Sequence, residues 1–174
     1  DESPESFMKV LKNSRPDVYE RFSDQMFKIE PKSITNYSIS THTLYGEGFS
    51  LAGNATEFLD PVFSSGVGFA TESGYRSALL ASKQLNGEHV NWELEYKNHM
   101  MQGINTFRSY INAWYDGTLQ EIFFSSIINH DIKRQICSVL AGYVWDTNNP
   151  FVKRHETALN TILKVIKMQN NEII

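Results

Sequence analysis

The stretch Gly53-Asn54-Ala55-Thr56-Glu57-Phe58-Leu59-Asp60-Pro61-Val62-Phe63-Ser64-Ser65-Gly66-Val67-Gly68 constrains this chain more than any other segment. A short β-like run, Phe49 to Ala52, precedes it, and a helical pattern starts near Gly66. Pro61 holds Asp60 in extended backbone and so fixes a corner. A helix start carries unpaired N–H groups and a partial positive charge. Glycines at 66 and 68 leave room for a ligand to reach that backbone. The combination suits a flat, polar, partly anionic ligand, with Asn54 and Asp60 placed to take its hydroxyls or to bond local backbone. Taken alone, the glycine spacing is more simply that of an ordinary strand–loop–helix connection.

The rest of the chain reads as mostly helical. Ser3-Pro4-Glu5 opens a first helix, with Phe7, Val10 and Leu11 as its buried face. Pro16 opens a second, carrying Val18, Tyr19, Phe22 and Met26, and Pro31 closes that region. Ile34 to Thr43, with Tyr37 and Ile39, reads as a strand, Tyr45 to Gly48 as a turn and Phe49 to Ala52 as the returning strand. The helix from Gly66 to Leu85 stops at Asn86-Gly87, and Val67, Ala70, Gly74, Ala78, Ala81 and Leu85 form its close-approach stripe.

Asn91 caps a long helix from Trp92, with Tyr96, Met100, Ile104, Phe107, Ile111 and Trp114 inward and Gly117 as a kink or end. Asp131 caps another helix carrying Ile132, Ile136, Val139 and Leu140. Asn148-Asn149-Pro150 breaks the chain before a last helix with Val152, Leu159, Ile162, Leu163 and Ile166, and the tail from Gln169 frays. The expected class is α+β and mainly helical: a short antiparallel β-pair, one helix facing the ligand, and a helical C-terminal subdomain. The segments are 1–33 (helical), 34–90 (β-pair, loop and helix) and 91–174 (helical). A two-stranded pair is not stable alone, so the remaining strands are expected in sequence outside this chain.

Composition excludes several classes. Net charge is −4, which argues against a nucleic-acid partner held by bulk charge. No apolar run reaches the ~20 residues of a membrane span. A single cysteine, Cys137, excludes an intrachain disulfide and fits a reducing cytoplasm. An acidic start without an initiator Met reads as processed or truncated.

The run from Gly53 to Val67 resembles the second flavin-binding motif of flavin-dependent halogenases and their monooxygenase relatives, which share a para-hydroxybenzoate hydroxylase-like fold. Trp114-Tyr115-Asp116-Gly117 and Ser138 to Asp146 resemble segments of the halogenase helical region. The likeness covers roughly residues 34–150. It implies that Gly53 and Asn54 approach the ribityl and phosphate side of FAD. It places Asp60 and Pro61 beside the isoalloxazine ring, with the Gly66 and Val67 amides facing its pyrimidine edge. Ser65 and Gly66 match the pair proposed to hold halide, although Ser65 reads equally as a helix N-cap.

Tryptophan halogenases carry Glu where this chain has Phe63, so the match favours phenolic or carrier-tethered aromatic substrates. In such enzymes reduced flavin and O2 give a hydroperoxide, and halide attack on it yields hypohalous acid; without halide the same chemistry hydroxylates, and a reductase of the same fold is a further possibility. A separate flavin reductase is a possible partner. No Gly-x-Gly-x-x-Gly is present, since Thr71 stands where the third glycine would be, and the upstream halogenase motifs are absent. The chain is therefore expected to be the C-terminal portion of such an enzyme, inactive and weak in FAD binding by itself. The alternative is a stand-alone helical module in which residues 91–168 bind a protein or acyl carrier.

Other candidates are weaker. His42, His89, His99, His130 and His155 lack metal-ligand spacing and read as surface or helix-end residues. Cys137 reads as a buried, inert thiol. Glu72 and Arg76 read as a surface ion pair. Trp114, Tyr115, Phe123 and Phe124 suit either an aromatic substrate pocket or, more simply, the core.

Overall fold

Helical spacing dominates the sequence, and helices dominate the computed structural model, which describes residues 3–23, 29, 32, 34, 35, 38–126 and 128–172. Contacts divide the chain into residues 1–37 and 38–174, taken separately below.

In the first unit, helix α1 (Pro4–Ser14) starts as the sequence dictates, with the Ser3 hydroxyl accepting the Ser6 amide and Pro4 in the first turn. Its expected inward face does not hold: Phe7 is 65% and Val10 63% exposed. Helix α2 (Pro16–Tyr19) is a single turn and ends before Phe22, which is 54% exposed. Met26, Pro31 and Tyr37 lie outside the described residues.

The second unit begins with two very short antiparallel ladders. Strand β1 (Ile39–Ser40) pairs with β4 (Glu57–Phe58), and β2 (Tyr45–Gly46) pairs with β3 (Phe49–Ser50). The long strand expected over 34–43 is thus only Ile39–Ser40 among its described residues, and its partner lies inside the motif. The expected turn at 45–48 contributes a strand of its own, with Gly48 at φ +77 closing the hairpin.

Helix α3 (Gly66–Leu85) has the expected bounds and a different inward face. Phe69, Ser73 and Leu80 are buried, whereas Val67 and Leu85 are 78% and 87% exposed. Phe69 outcompetes the small-residue stripe because an aromatic ring removes far more apolar surface from water than alanine or glycine does. Asn91 caps the next segment, its Oδ1 accepting the Leu94 amide at 3.0 Å. A widened turn (Glu93–Asn98), with hydrogen bonds reaching five residues back, leads into α4 (His99–Tyr115).

Helix α4 is the spine of the core. Tyr96, Met100, Ile104, Phe107, Tyr110 and Ile111 are all 7% exposed or less, and each such burial contributes about 1.5–3 kcal/mol. The Tyr96 hydroxyl donates to the Leu51 carbonyl, tying the strand region to the spine, and burial pushes its pKa up to about 12. Gly117, at φ +88, turns the chain into α5 (Thr118–Phe124), which buries Leu119 and Ile122.

Asn129, and not Asp131, caps α6 (His130–Leu140), its side chain accepting the Ile132 amide. Asn149 caps the one-turn helix α7 (Pro150–Lys153), so the expected break is a helix start, and Val152 belongs to this turn. Helix α8 (His155–Glu172) runs through Gln169 and Asn170, where fraying was expected. Cys137 is exposed, which corrects the buried reading: it falls on the outer face of α6, beside the inward Ile136. The observed class, α+β and mainly helical, is the expected one.

Candidate functional site

The motif folds into two consecutive tight turns laid against the first turns of α3. Gly53 takes φ +64, a conformation open to glycine, and its amide donates to the Ser73 hydroxyl at 2.9 Å. Ser73 Oγ in turn donates to the Phe69 carbonyl at 2.6 Å. Thr56 closes the first turn, its hydroxyl and its amide both donating to the Gly53 carbonyl. A Cβ built on Gly53 would lie 3.7 Å from the Ala70 Cβ, so the start of the motif packs on the helix that ends it. Asn54 is exposed at the tip of this turn.

Asp60 is extended, at φ −161 and ψ 142, as the following proline requires. Its Oδ1 accepts the Val62 amide at 2.8 Å, and its Oδ2 accepts the Tyr115 hydroxyl at 2.9 Å. The carboxylate therefore holds the Pro61–Phe63 turn and fastens it to the end of α4. Ser64 then adopts a left-handed conformation, φ 56 and ψ 35, without being glycine. Such a residue is uncommon and costs of order 1 kcal/mol. The kink swings the chain so that α3 starts at Gly66.

Ser65 occupies the N-cap position of α3 but its side chain makes no capping bond. The first amide of this helix with a carbonyl partner is Phe69, donating to Ser65 at 3.1 Å. Among the described residues, the Gly66, Val67 and Gly68 N–H groups have no partner. A Cβ on Gly66 would meet only Phe58 Cε2 at 3.9 Å, and one on Gly68 would meet nothing within 4 Å. Neither glycine has a positive φ. Among the described residues nothing demands glycine at 66 or 68, so the room there is open.

Two cavities flank this turn. One, of about 210 Å3, is bounded by Glu57, Phe58, Asp60, Ser65, Gly66 and Val67, and so gathers most of the motif residues singled out from sequence. The other, of about 190 Å3, lies across Ser64, Ser65 and Phe69 and is walled by Phe63, Phe107 and Trp145. Phe63 packs edge-on against Phe107 at 6.1 Å and Trp114 at 5.6 Å. Tyr115 and Phe124 are 67% and 86% exposed, so neither is core as sequence suggested.

Sequence reading passed over several residues that build the site. Glu57 carries a side chain only 3% exposed, paired with Arg108 Nη2 at 2.8 Å and accepting the Ser40 hydroxyl at 2.7 Å. This pins the β1–β4 ladder to α4. The sequence shows Glu57 as one of the two acids of the motif, with Asp60, and carries no local signal for its partner. Glu72 and Arg76 are 2.5 Å apart as expected but half-buried, and His99 Nε2 joins them 2.8 Å from Glu72 Oε1. Burial, and then the Arg76 charge, hold His99 below the usual histidine range and outweigh the opposing pull of Glu72. Its imidazole stacks on Trp145 at 5.0 Å and 7°, and Trp145 Nε1 donates to the His99 carbonyl at 2.8 Å. Among the described residues no His, Cys, Asp and Glu cluster suits a metal, and no helix is long and apolar enough to cross a membrane.

No family model matches the chain. It is 26% identical over 140 residues to a 1H-pyrrole-2-carbonyl-[peptidyl-carrier protein] brominase of Pseudoalteromonas luteoviolacea, covering 78% of this chain and 33% of that protein. It is 32% identical over 98 residues to the flavin-dependent halogenase ascD of Acremonium egyptiacum, covering 56% and 18%. A tryptophan 2-halogenase of Chondromyces crocatus is 38% identical over 72 residues, covering 38% and 14%. The crystal structure of a flavoprotein/dehydrogenase from Cytophaga hutchinsonii superposes with a TM-score of 0.88 at 55% identity, over 94% of this chain and 40% of that one. The chain is thus homologous to flavin-dependent halogenases and flavoproteins and spans a third or less of these curated relatives' own length.

Proposed function

We propose that this chain is the flavin-contacting and helical part of a longer, halogenase-type flavoprotein that acts on an aromatic substrate. The observation that carries the reading is the start of α3. Among the described residues the consecutive amides of Gly66, Val67 and Gly68 have no protein partner, and neither backbone conformation nor packing against those residues requires the two glycines. A helix start of this kind favours negative charge by about 0.3–2 kcal/mol, depending on burial. The residues present therefore fit the electron-rich pyrimidine edge of FAD.

On this reading the Gly66 and Val67 amides take the ring edge, and Asp60 and Pro61 set the corner that aims them. Gly53 and Asn54 lie toward the ribityl and phosphate side. When bound and reduced, the flavin supplies the activation of O2. The chain's own residues orient it and hold the Ser64–Ser65 turn rigid beside it. Ser65 and Gly66 are the pair placed to take a halide, since the Ser65 hydroxyl is not spent on capping. The carrier-linked pyrrole in the name of one relative supports a tethered aromatic substrate, and a separate reductase would supply electrons.

The test is flavin retention by the parent protein. Gly66→Val and Gly68→Val are expected to strip flavin while leaving the melting temperature within a few degrees, because a Cβ at either place meets nothing closer than 3.9 Å. Full flavin content in both variants sinks the reading. A colourless parent favours the alternative of a helical interaction module. A flavin-loaded parent that consumes no halide favours the dehydrogenase named in the solved relative.

A further inference from the structure

Two acids line the cavity that gathers the motif, and their charges are met in different ways. Glu57 faces a full cation: Arg108 Nη2 stands 2.8 Å from its Oε1, and the Ser40 hydroxyl donates to the same oxygen at 2.7 Å. Asp60, half-buried, makes no ion pair among the described residues. Its carboxylate takes neutral donors, the Val62 amide on Oδ1 at 2.8 Å and the Tyr115 hydroxyl on Oδ2 at 2.9 Å. Asp60 shares this cavity's wall with Gly66 and Val67, whose amides start α3.

The two donors do different work. The Val62 amide closes the corner locally. Together with the Ser64 amide, which donates to the Pro61 carbonyl at 2.9 Å, it is enough to hold the Pro61–Phe63 turn. The Tyr115 hydroxyl comes from the last position of α4, 55 residues along the chain. Tyr115 is 67% exposed, so apolar burial is a small part of what it contributes. A phenol O–H on a carboxylate makes a charge-assisted bond, about twice as strong as a neutral one, and draws negative charge toward itself. In a half-buried wall, charge left uncompensated acts over several ångströms.

We propose that Tyr115 is a positioning residue for the flavin that acts through Asp60: it fixes the carboxylate and draws its charge onto the phenol, so that Asp60 opposes less the negative charge a reduced flavin brings to the α3 amides. The inference rests on the flavin reading above. It gives a residue outside the motif a part in setting how much more tightly the site holds reduced than oxidised flavin. The sign follows from electrostatics. The α3 amides favour a negative ring edge, and a carboxylate in the same wall opposes them. Each donor on that carboxylate weakens the opposition. Removing the phenol hydroxyl therefore disfavours the reduced form relative to the oxidised one. A purely structural fastening has another signature, since it loosens the corner for both redox forms alike and leaves their ratio unchanged.

The test uses the parent protein with its flavin bound. It reads the two-electron midpoint potential by equilibration with a redox dye, alongside flavin content and melting temperature. Tyr115→Phe keeps the exposed ring and removes the hydroxyl. It is expected to retain flavin and to raise the ratio of the reduced to the oxidised dissociation constant about tenfold, because a charge-assisted bond is lost. For a two-electron couple that is a potential about 30 mV lower. Asp60→Asn keeps an acceptor for the Val62 amide and removes the charge, so it is expected to shift the potential the opposite way. In the Asp60→Asn background, Tyr115→Phe is expected to add almost nothing.

An unchanged potential in flavin-loaded Tyr115→Phe, or flavin loss from it with the potential of the remaining flavin unmoved, overturns this proposal and leaves the flavin reading standing. An equal shift from Tyr115→Phe with and without the Asp60 carboxylate also overturns it, since the hydroxyl then acts by another route. A colourless parent, or full flavin in both Gly66→Val and Gly68→Val, overturns the flavin reading and this proposal with it.

Discussion

Gly103→Ala sets two well-known effects against each other. Gly103 lies inside α4, where alanine is favoured over glycine by about 0.5–1 kcal/mol. Helix propensity alone therefore says the substitution stabilises. The packing says otherwise. The new Cβ would sit 2.6 Å from Trp145 Cε2 and Cζ2 and 2.8 Å from Nε1, where non-bonded carbons settle at about 3.5–4.0 Å. The indole must retreat by roughly 1 Å. That strains the 2.8 Å bond to the His99 carbonyl, worth about 0.5–1.5 kcal/mol. It also opens the contacts with the His99 and Phe69 rings, worth about 0.5–1.5 kcal/mol for an aromatic pair. Overpacking of this kind costs about 1–3 kcal/mol in total, so the expected net loss is about 1–2 kcal/mol after the propensity gain. Urea unfolding of Gly103→Ala, Trp145→Ala and the double variant measures it. With the indole gone, Gly103→Ala is expected to stabilise by about 0.5–1 kcal/mol. If it stabilises the wild-type background by the same amount, the packing argument fails.

The buried pair at the motif predicts an asymmetry: Arg108→Ala is expected to destabilise more than Glu57→Ala. The first leaves a carboxylate 3% exposed without its partner, and the second leaves a guanidinium that is 36% exposed and can hydrate; equal losses in urea would refute this. Ser73→Ala strands the Gly53 amide and is expected to cost about 1–2 kcal/mol, with faster hydrogen exchange at Gly53 as its signature. Burial holds His99 and His155 below their ordinary 6.5. The unfolded chain then binds protons first as pH falls, so stability is fully present above about 6.5 and declines below it, until the folded-state values are passed. Urea midpoints between pH 7.5 and 5.5 should drop, and His99→Gln with His155→Gln should flatten the slope.

Much of the helical order was legible because its signals are local. Asn86-Gly87, Asn91, Gly117 and Pro150 each punctuate the chain through their own backbone chemistry, and each falls at a helix boundary. The long face of α4 was legible because large apolar residues recur at one period. The face of α3 was not. Its small-residue stripe matched the period equally well, and Phe69 and Ser73 win through partners far along the chain, Phe107 and Gly53. Strand pairing failed for the same reason: β1 finds its partner inside the motif, and no local signal states that choice. At the site, the glycine positions and the Asp-Pro corner were readable. The Asp60–Tyr115 and Glu57–Arg108 bonds were not, because a sequence names the charges and hydroxyls without saying which will meet.

The glycines of the motif answer to different masters. Gly53 is favoured by its own backbone angle, at φ +64, a preference on the order of 1 kcal/mol that holds whatever the turn binds. Gly66 and Gly68 are free to change as far as this chain's own shape is concerned. On the flavin reading proposed above, a lineage that abandoned the cofactor is expected to drift at those two places first while its fold stays intact. Variation at the pair would then date the loss of the cofactor, with Gly53 as the control that follows the fold.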